Sequence, residues 1–231
     1  MNVAIIPARG GSKRIPRKNI KSFCGKPMIV WSIEAALQSK LFDHVVVSTD
    51  DDEIARVAVA HGAQVPFRRP PHLADDFAAT RPVVNHAIGE VERLYGVPEY
   101  VCCLYATAPF VESADLQAAY ELLAATTAAQ FVFSVATYAY PVQRALRLGQ
   151  SGFTEMFYPE HAATRSQDLE ESYHDAGQFY WGRREAFLSN VSALNARSLP
   201  YVLPRHRVQD IDTSEDWLRA ELMFKLLHEG A

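Results

Sequence analysis

The chain has 231 residues, 48% of them hydrophobic, with 27 acidic against 23 basic side chains and a formal net charge of −4. That length and apolar fraction give a single domain with a sizeable core and argue against disorder, and the lack of an overall positive field argues against DNA or another polyanion as a general partner. The opening MNVAIIPARGG has no basic segment before its apolar run, and that run is far too short for a membrane span, so a cytoplasmic protein is expected.

Apolar runs alternate with amphipathic segments through the first half. NVAIIP reads as a strand, MIVWSIEAALQS as a helix, HVVVST as a strand and DDEIARVAVAHG as a helix closed by Gly62. AQVPF follows as a short strand, RPVVNHAIGEVERLYG as a helix and YVCCLY as a buried strand. SADLQAAYELLAAT is a helix with Ser113 at its N-cap, and QFVFSVA a further strand. Short strands rich in Val, Ile and Phe, separated by helices, predict an α/β fold. Its sheet is mostly parallel, with helices on both faces and right-handed crossovers. Ligands of such sheets sit at the carboxyl ends of the strands.

The alternation stops near Tyr138. Residues 138–176 are rich in aromatic and charged side chains without a helical period, and they read as an arm inserted within the one domain, 1–231. The pattern resumes with QFYWG as a strand, RREAFLSN as a helix, LPYVLP as a strand and SEDWLRAELMFKLLHE as a final amphipathic helix. The three cysteines, Cys24, Cys102 and Cys103, form no C-x-x-C, and the eight histidines no H-E-x-x-H, which argues against a disulfide framework and a zinc site.

Two segments carry chemistry. The first, IIPARGGSKRIPRKN, places five cationic residues and two adjacent glycines directly behind the first strand. It satisfies neither G-x-x-x-x-G-K-[ST] nor G-x-G-x-x-G, and Pro16 opposes a helix beginning at the glycines. What remains is an extended loop in which Gly10 and Gly11 let backbone N–H groups approach an anion while Arg9, Lys13 and Lys18 surround it. A solvated charged loop is the alternative. The second, QDIDTSEDW, spaces Asp210 and Asp212 two apart, so an extended backbone puts both carboxylates on one face, where hard oxygens suit Mg²⁺. Here the alternative is capping of the last helix by Asp212 or Thr213. A phosphate cradle and a magnesium site in one chain favour nucleotide chemistry.

On IIPARGGSKRIPRKN, GKP, FDHVVVSTDDDEIA, PFRRPPHLADD, TAPF and DID, in this order over nearly the whole chain, the sequence resembles the cytidylyltransferases that activate sialic-acid-like sugars, the CMP-sialic acid synthetase group. CCLYATAPF, PVQRAL and RSQDLEESYHDAGQFYWG resemble the branch of that group that handles pseudaminic acid, a nine-carbon bacterial relative of sialic acid. The resemblance implies a nucleotide-diphospho-sugar-transferase-like fold and a homodimer formed through the arm. It also implies CTP and a nonulosonic acid as substrates, with Mg²⁺ as cofactor. CTP would be held by Arg9, Gly10, Ser12, Lys13, Lys18 and Asn19 around the triphosphate and by Arg69, Asp76 and Thr80 around the cytidine. Asp210 and Asp212 would carry the metal, and Arg9, Lys18 and Asp210 the catalysis.

Two departures from the sialic-acid pattern fall on the acceptor side. Tyr105, in YATAP, stands where QPTSP has its glutamine, and AGQ at 176–178 replaces an NGA-type turn. The expected acceptor contacts are therefore Tyr105, Gln143, Arg144, Arg165 and Gln178, the arginines matching a carboxylate with their guanidinium forks. Catalysis would be direct attack by the sugar's anomeric hydroxyl on the α-phosphorus of CTP. A cytidylyltransferase for N-acetylneuraminic, legionaminic or Kdo acid, and a non-catalytic nucleotide-binding protein, are the competing readings.

Overall fold

The computed structural model describes residues 1–75, 78–189 and 191–229. Strand β1 (Asn2–Pro7) shows how the sequence builds the centre. Its side chains alternate between faces, Ala4 and Ile6 entering one apolar cluster and Val3 and Ile5 another, and all four are fully buried. On the first face lie α1 (Met28–Ser39), α2 (Asp52–Ala60) and α4 (Ser113–Ala125), through residues such as Ile33, Ile54 and Leu116. On the second lie α3 (Thr80–Tyr95) and the short α5 (Arg184–Leu188), through Val84, Ile88 and Phe187. Each such apolar side chain contributes roughly 1.5–3 kcal/mol by leaving water.

The sheet also contains β4 (His44–Ser48), β5 (Tyr100–Leu104), β6 (Phe131–Thr137), β9 (Tyr173–Arg183) and β10 (Ser198–Val202), in the order β10-β6-β9-β5-β1-β4. Two small antiparallel ribbons lie outside it: β2 (Ser22–Phe23) with β3 (Lys26–Pro27), and β7 (Leu146–Leu148) with β8 (Thr154–Met156). The expected α/β architecture is present, with β1, β4 and β5 parallel to one another and β10 parallel to β6. One strand departs: β9 runs antiparallel to both β5 and β6. Its amino end, Tyr173–Gly177, therefore lies at the carboxyl edge of the parallel strands.

β9 is also irregular there. Phe133 of β6 faces Tyr180, whereas Val135, two residues on, faces Asp175, so β9 spends five residues where β6 spends two. Ser134 Oγ stitches the gap by accepting from the backbone N–H groups of Gln178 (3.3 Å) and Phe179 (3.2 Å).

Other boundaries differ in detail. AQVPF forms only an isolated bridge, Val46 to Gln64, because Pro66 removes a ladder donor. The N-cap of α4 is Glu112 in a capping box with Asp115, one residue before Ser113. β9 begins at Tyr173, so the excursion between β6 and β9 covers 138–172, shorter than the expected 138–176.

A third apolar cluster fixes the site. Ile15 from the cationic loop and Ile211 from the aspartate segment pack with Phe23, Met28 and Phe110 against Trp217, Ala220 and Phe224 of the last helix, α6 (Ser214–Glu229). Side chains nearly 200 positions apart in sequence share one core, which brings their charged neighbours together.

Candidate active site

The cationic loop and the aspartate segment meet at the carboxyl edge of β1 and β5, around a cleft of about 450 Å³. Its walls include Arg9, Ser12, Lys13, Lys18, Asn19, Arg69, Thr80, Tyr105 and Asp212. Gly10, Asp210, Gln143, Arg144, Arg165 and Gln178 lie off those walls. Asp76 lies outside the described residues.

The loop is held from below. Asn19 Nδ2 donates to the Arg9 carbonyl at 2.9 Å, and the Arg9 guanidinium donates to the Asp75 carbonyl at 3.0 Å. Gly10 serves a purpose other than the expected one. Its N–H donates to Asp50 Oδ1 at 3.1 Å, and a Cβ at this position would come within 2.7 Å of Asp51 Oδ2. Glycine is needed here so that the loop can close on β4's exit, and the Gly10 amide is already engaged. Arg17 is also spent on structure. At a positive φ of 57°, it turns its guanidinium onto Asp51 (2.5 and 2.9 Å) and Glu53 (2.6 Å). Asp51 in turn caps α2 by accepting from the N–H groups of Glu53 and Ile54, and Arg17 with these donors holds its carboxyl well below the usual carboxylate range.

Arg69 is almost fully buried, its Nε donating to Ser48 Oγ at 3.2 Å and its Nη2 to the Ser48 carbonyl. Burial lowers its pKa against an opposing pull from Asp50, and the nearby charge of Arg9 adds a smaller push in the direction of burial. Two cations sharing a desolvated cleft make it receptive to an anion or to a ring carbonyl.

The aspartates divide between two tasks. Thr213 Oγ1 accepts from the Asp216 N–H (3.2 Å), while Asp216 Oδ2 accepts from the N–H groups of Asp212 (3.2 Å) and Thr213 (2.8 Å), so Thr213 and Asp216 close the start of α6. The Asp212 carboxylate is thereby released from capping. It meets Arg14 at 2.8 Å and Lys18 at 3.3 Å, and Lys18 Nζ also donates to the Ile211 carbonyl at 2.6 Å. The segment forms no ladder, yet Ile211 is buried between the two aspartates, as an extended alternation requires. Burial, and then the like charge of Asp212, raise the Asp210 carboxyl above its ordinary pKa, with Lys18 acting in the opposite direction. Two hard-oxygen carboxylates that repel each other beside a phosphate-sized cleft fit a divalent cation of the Mg²⁺ type. Among the described residues no cluster of three or more His, Cys, Asp or Glu offers a closed metal cage.

Tyr105 stands at the far end. Its N–H donates to the Gln178 carbonyl at 2.9 Å, and its carbonyl accepts from Ser32 Oγ at 2.8 Å. Burial, with a hydrogen bond from Thr80 working against it, pushes the phenol up to about 12. Tyr105 and Thr80 also belong to a second, mostly apolar cavity of about 230 Å³, completed by Cys103, Phe131, Tyr180 and Phe187 among others.

The remaining acceptor candidates are elsewhere. Gln178 is buried and donates to the Arg207 carbonyl at 2.6 Å, which ties β9 to the segment leading to Asp210. It is absent from the cleft walls, its amide engaged with Arg207 instead. In the arm, Gln143 donates to the Glu170 carbonyl at 3.0 Å, Arg144 to the Thr164 carbonyl, and Arg165 pairs with Asp168 at 2.6 Å. Two features of the site carried no sequence signal. Arg14 sits on Asp212, and Asp175 is bonded to Gly177 N–H at 2.8 Å and to the Tyr180 hydroxyl.

The family model for cytidylyltransferases matches residues 3–197. The chain belongs to the cytidylyltransferase family. As such it is a nucleotidyltransferase. This cytidylyltransferase is 46% identical over 230 residues to the pseudaminic acid cytidylyltransferase of Campylobacter jejuni serotype O:2, covering 100% of this chain and 99% of that one. It is 37% identical over 209 residues to a Helicobacter pylori protein named as both a pseudaminic acid cytidylyltransferase and a UDP-2,4-diacetamido-2,4,6-trideoxy-beta-L-altropyranose hydrolase, of which it spans 40%. Among solved structures, a CMP:2-keto-3-deoxy-manno-octonic acid synthetase complexed with CTP superposes with a TM-score of 0.71 at 19% identity, over 98% of this chain and 99% of that one, which supports the fold.

Proposed function

We propose that this cytidylyltransferase transfers CMP from CTP to the anomeric hydroxyl of pseudaminic acid, releasing pyrophosphate. The observation that carries the reading is the meeting of the Arg9–Asn19 loop with Asp212 in one cleft, in a chain 46% identical end to end to a pseudaminic acid cytidylyltransferase. The enzyme acts in the cytoplasm, where CTP is available; among the described residues no helix is long and apolar enough to cross a membrane.

Arg9, Ser12, Lys13 and Lys18 hold the triphosphate, and Asn19 keeps the loop in shape for them. Arg69 and Thr80 lie where the cytidine is read. Asp210 and Asp212 would hold Mg²⁺, which would neutralise phosphate charge and polarise the phosphoryl group. Lys18 and Arg14, paired with Asp212 in this structure, are the cations positioned to meet phosphate oxygens. The reaction is one in-line displacement: the anomeric oxygen forms a bond to the α-phosphorus, the bond to the pyrophosphate oxygen breaks, and the anomeric proton leaves to solvent or to a carboxylate near Asp210. Positioning and fixed positive charge carry the rate.

The arm makes the enzyme a homodimer. Tyr140, Leu148 and Phe153 are 83%, 78% and 76% exposed, large apolar side chains that a partner would take out of water. A second copy related by a two-fold axis covers it, and Arg144 or Arg165 then faces the neighbour's acceptor carboxylate.

The test is the initial rate of pyrophosphate release with CTP, Mg²⁺ and, in turn, pseudaminic, legionaminic, N-acetylneuraminic and Kdo acids. Pseudaminic acid is expected to give the highest kcat/KM. A preference for any of the other three would replace the proposed acceptor, and turnover of none would remove the enzymatic reading.

A further inference from the structure

Asp175 is a charged residue beside the cleft that the chemistry above leaves unused. It sits in the irregular stretch of β9, at the ligand edge of the sheet, where a bulge redirects a side chain out of the ladder. Its carboxylate is fixed on two sides: Oδ1 accepts from the Gly177 N–H at 2.8 Å, with Gly177 at a φ of 62°, and Oδ2 accepts from the Tyr180 hydroxyl. The Tyr180 ring is itself locked, stacked on Phe133 at 5.4 Å and edge-on to Tyr105 at 6.1 Å.

Asp175 is on neither set of walls, and three observations bring its carboxylate close to where the cleft and the apolar cavity meet. Tyr180 and Tyr105 line the cavity, and Tyr105 also lines the cleft. The Asp175 charge acts on Cys103, a third cavity wall, and on Tyr105. The charge of Asp210 acts in turn on the Asp175 carboxyl. A carboxylate has about four acceptor sites and two are taken, so two remain for a donor from outside.

We propose that Asp175 determines acceptor specificity by accepting a hydrogen bond from an acylamino N–H of the sugar acid. The inference rests on the proposed sugar-acid acceptor and adds a residue to it. The anionic side chain needs a donor and repels a second anion. It therefore also orients the substrate, holding the acceptor carboxylate away from this end and leaving it to the cationic side chains. Burial of the carboxyl's inner side raises its pKa, and the Gly177 N–H donor and the charge of His174 offset this only in part. The residue is exposed, so its outer side can be reached by a donor from outside.

The experiment crosses enzyme and substrate changes. Wild type, Asp175→Ala and Asp175→Asn are compared on pseudaminic acid and on analogues in which each acylamino nitrogen in turn is methylated and cannot donate. KM for CTP and the thermal midpoint are measured alongside. For wild type, one methylation is expected to lower acceptor kcat/KM by about 100-fold, the scale of a hydrogen bond to a charged group. In Asp175→Ala the same methylation changes kcat/KM less than about 3-fold, because the partner is already gone. Asp175→Asn, which keeps the shape, falls between them, and KM for CTP stays unchanged in all three. If Asp175→Ala lowers every acceptor equally, or if the methylation penalty persists in both variants, Asp175 only supports the strand and the assignment is wrong. Should Asp175→Ala fail to fold, the Asp175→Asn comparison decides alone. Wild type inactive on every sugar acid would instead overturn the proposed reaction, a result distinct from a lost methylation effect.

Discussion

The opening loop at 9–19 and the arm at 138–172 each carry three arginines, and they meet the rest of the chain in opposite ways. In the loop, Ile15 is buried in the cluster it shares with α6, Asn19 bonds to the Arg9 carbonyl, and Lys18 reaches a segment almost two hundred residues away. In the arm, Gln143, Arg144 and Arg165 bond to other arm residues, the β7–β8 ribbon stands alone, and large apolar side chains face solvent. A cationic residue can act in a reaction only if something rigid fixes it. The loop's rigidity comes from its own chain, so the proposed CTP site is built in cis. The arm's side chains are tied to one another, and the proposed dimer assigns its arginines to a neighbouring copy's acceptor site.

The largest expected effect breaks the cis half. Asp212→Asn should reduce Mg²⁺-dependent turnover on the order of 10³-fold. Its fold should persist, because Thr213 and Asp216, not Asp212, cap α6. CTP affinity by calorimetry should fall far less than turnover; an equal loss of both would mean that Asp212 serves only to anchor Lys18 and Arg14.

Arg9→Ala comes next, with kcat/KM for CTP falling on the order of 10²-fold. Unchanged kinetics would return the loop to a solvated charged surface.

The arm supplies a smaller and more selective effect. Leu148→Asp with Phe153→Asp should convert the dimer to a monomer by light scattering. Acceptor KM should rise about tenfold, a loss of roughly one charged hydrogen bond, while KM for CTP stays constant. A wild-type protein already monomeric would contradict the trans assignment.

Asp51→Ala tests the loop's support. Loss of the cap should cost about 1–2 kcal/mol in a denaturant titration, with a minor change in rate. Because the Asp51 carboxyl is held below its unfolded value, its contribution is fully present above that ordinary value, about pH 3.9. It is lost as the pH falls toward the lower folded pKa. The stability difference between wild type and Asp51→Ala should therefore shrink on acidification below about pH 4, and a difference that grew there would reverse the assigned sign.

Much of this organisation is legible in the sequence where a residue's neighbours in the chain decide its state. MIVWSIEAALQS ends as α1 over the same residues, Met28–Ser39, and YVCCL is buried on both faces as its unbroken apolar run requires. The cationic loop and Asp212 are also recoverable, since glycines, cations and a spaced acid pair are visible as text. Strand direction is not. β9 is as apolar as a parallel strand, and its antiparallel course depends on the arm that precedes it. The fate of Gly10, whose amide goes to Asp50, depends on a strand exit forty residues away. The positions of Gln178 and Asp175 are set by the bulge opposite Ser134, and a register change of that kind leaves no periodic trace. A lone aspartate in a strand gives no spacing to read.

The central claim is that one cleft joins CTP to the sugar acid directly, and phosphorus NMR of the complete reaction tests it most directly. Wild-type enzyme with CTP, Mg²⁺ and pseudaminic acid should give one equivalent of pyrophosphate for each equivalent of CMP-sugar, and no consumption of CTP when the acceptor is withheld. Pyrophosphate formed at the same rate without the sugar, or CTP left intact in the full mixture, would contradict the account.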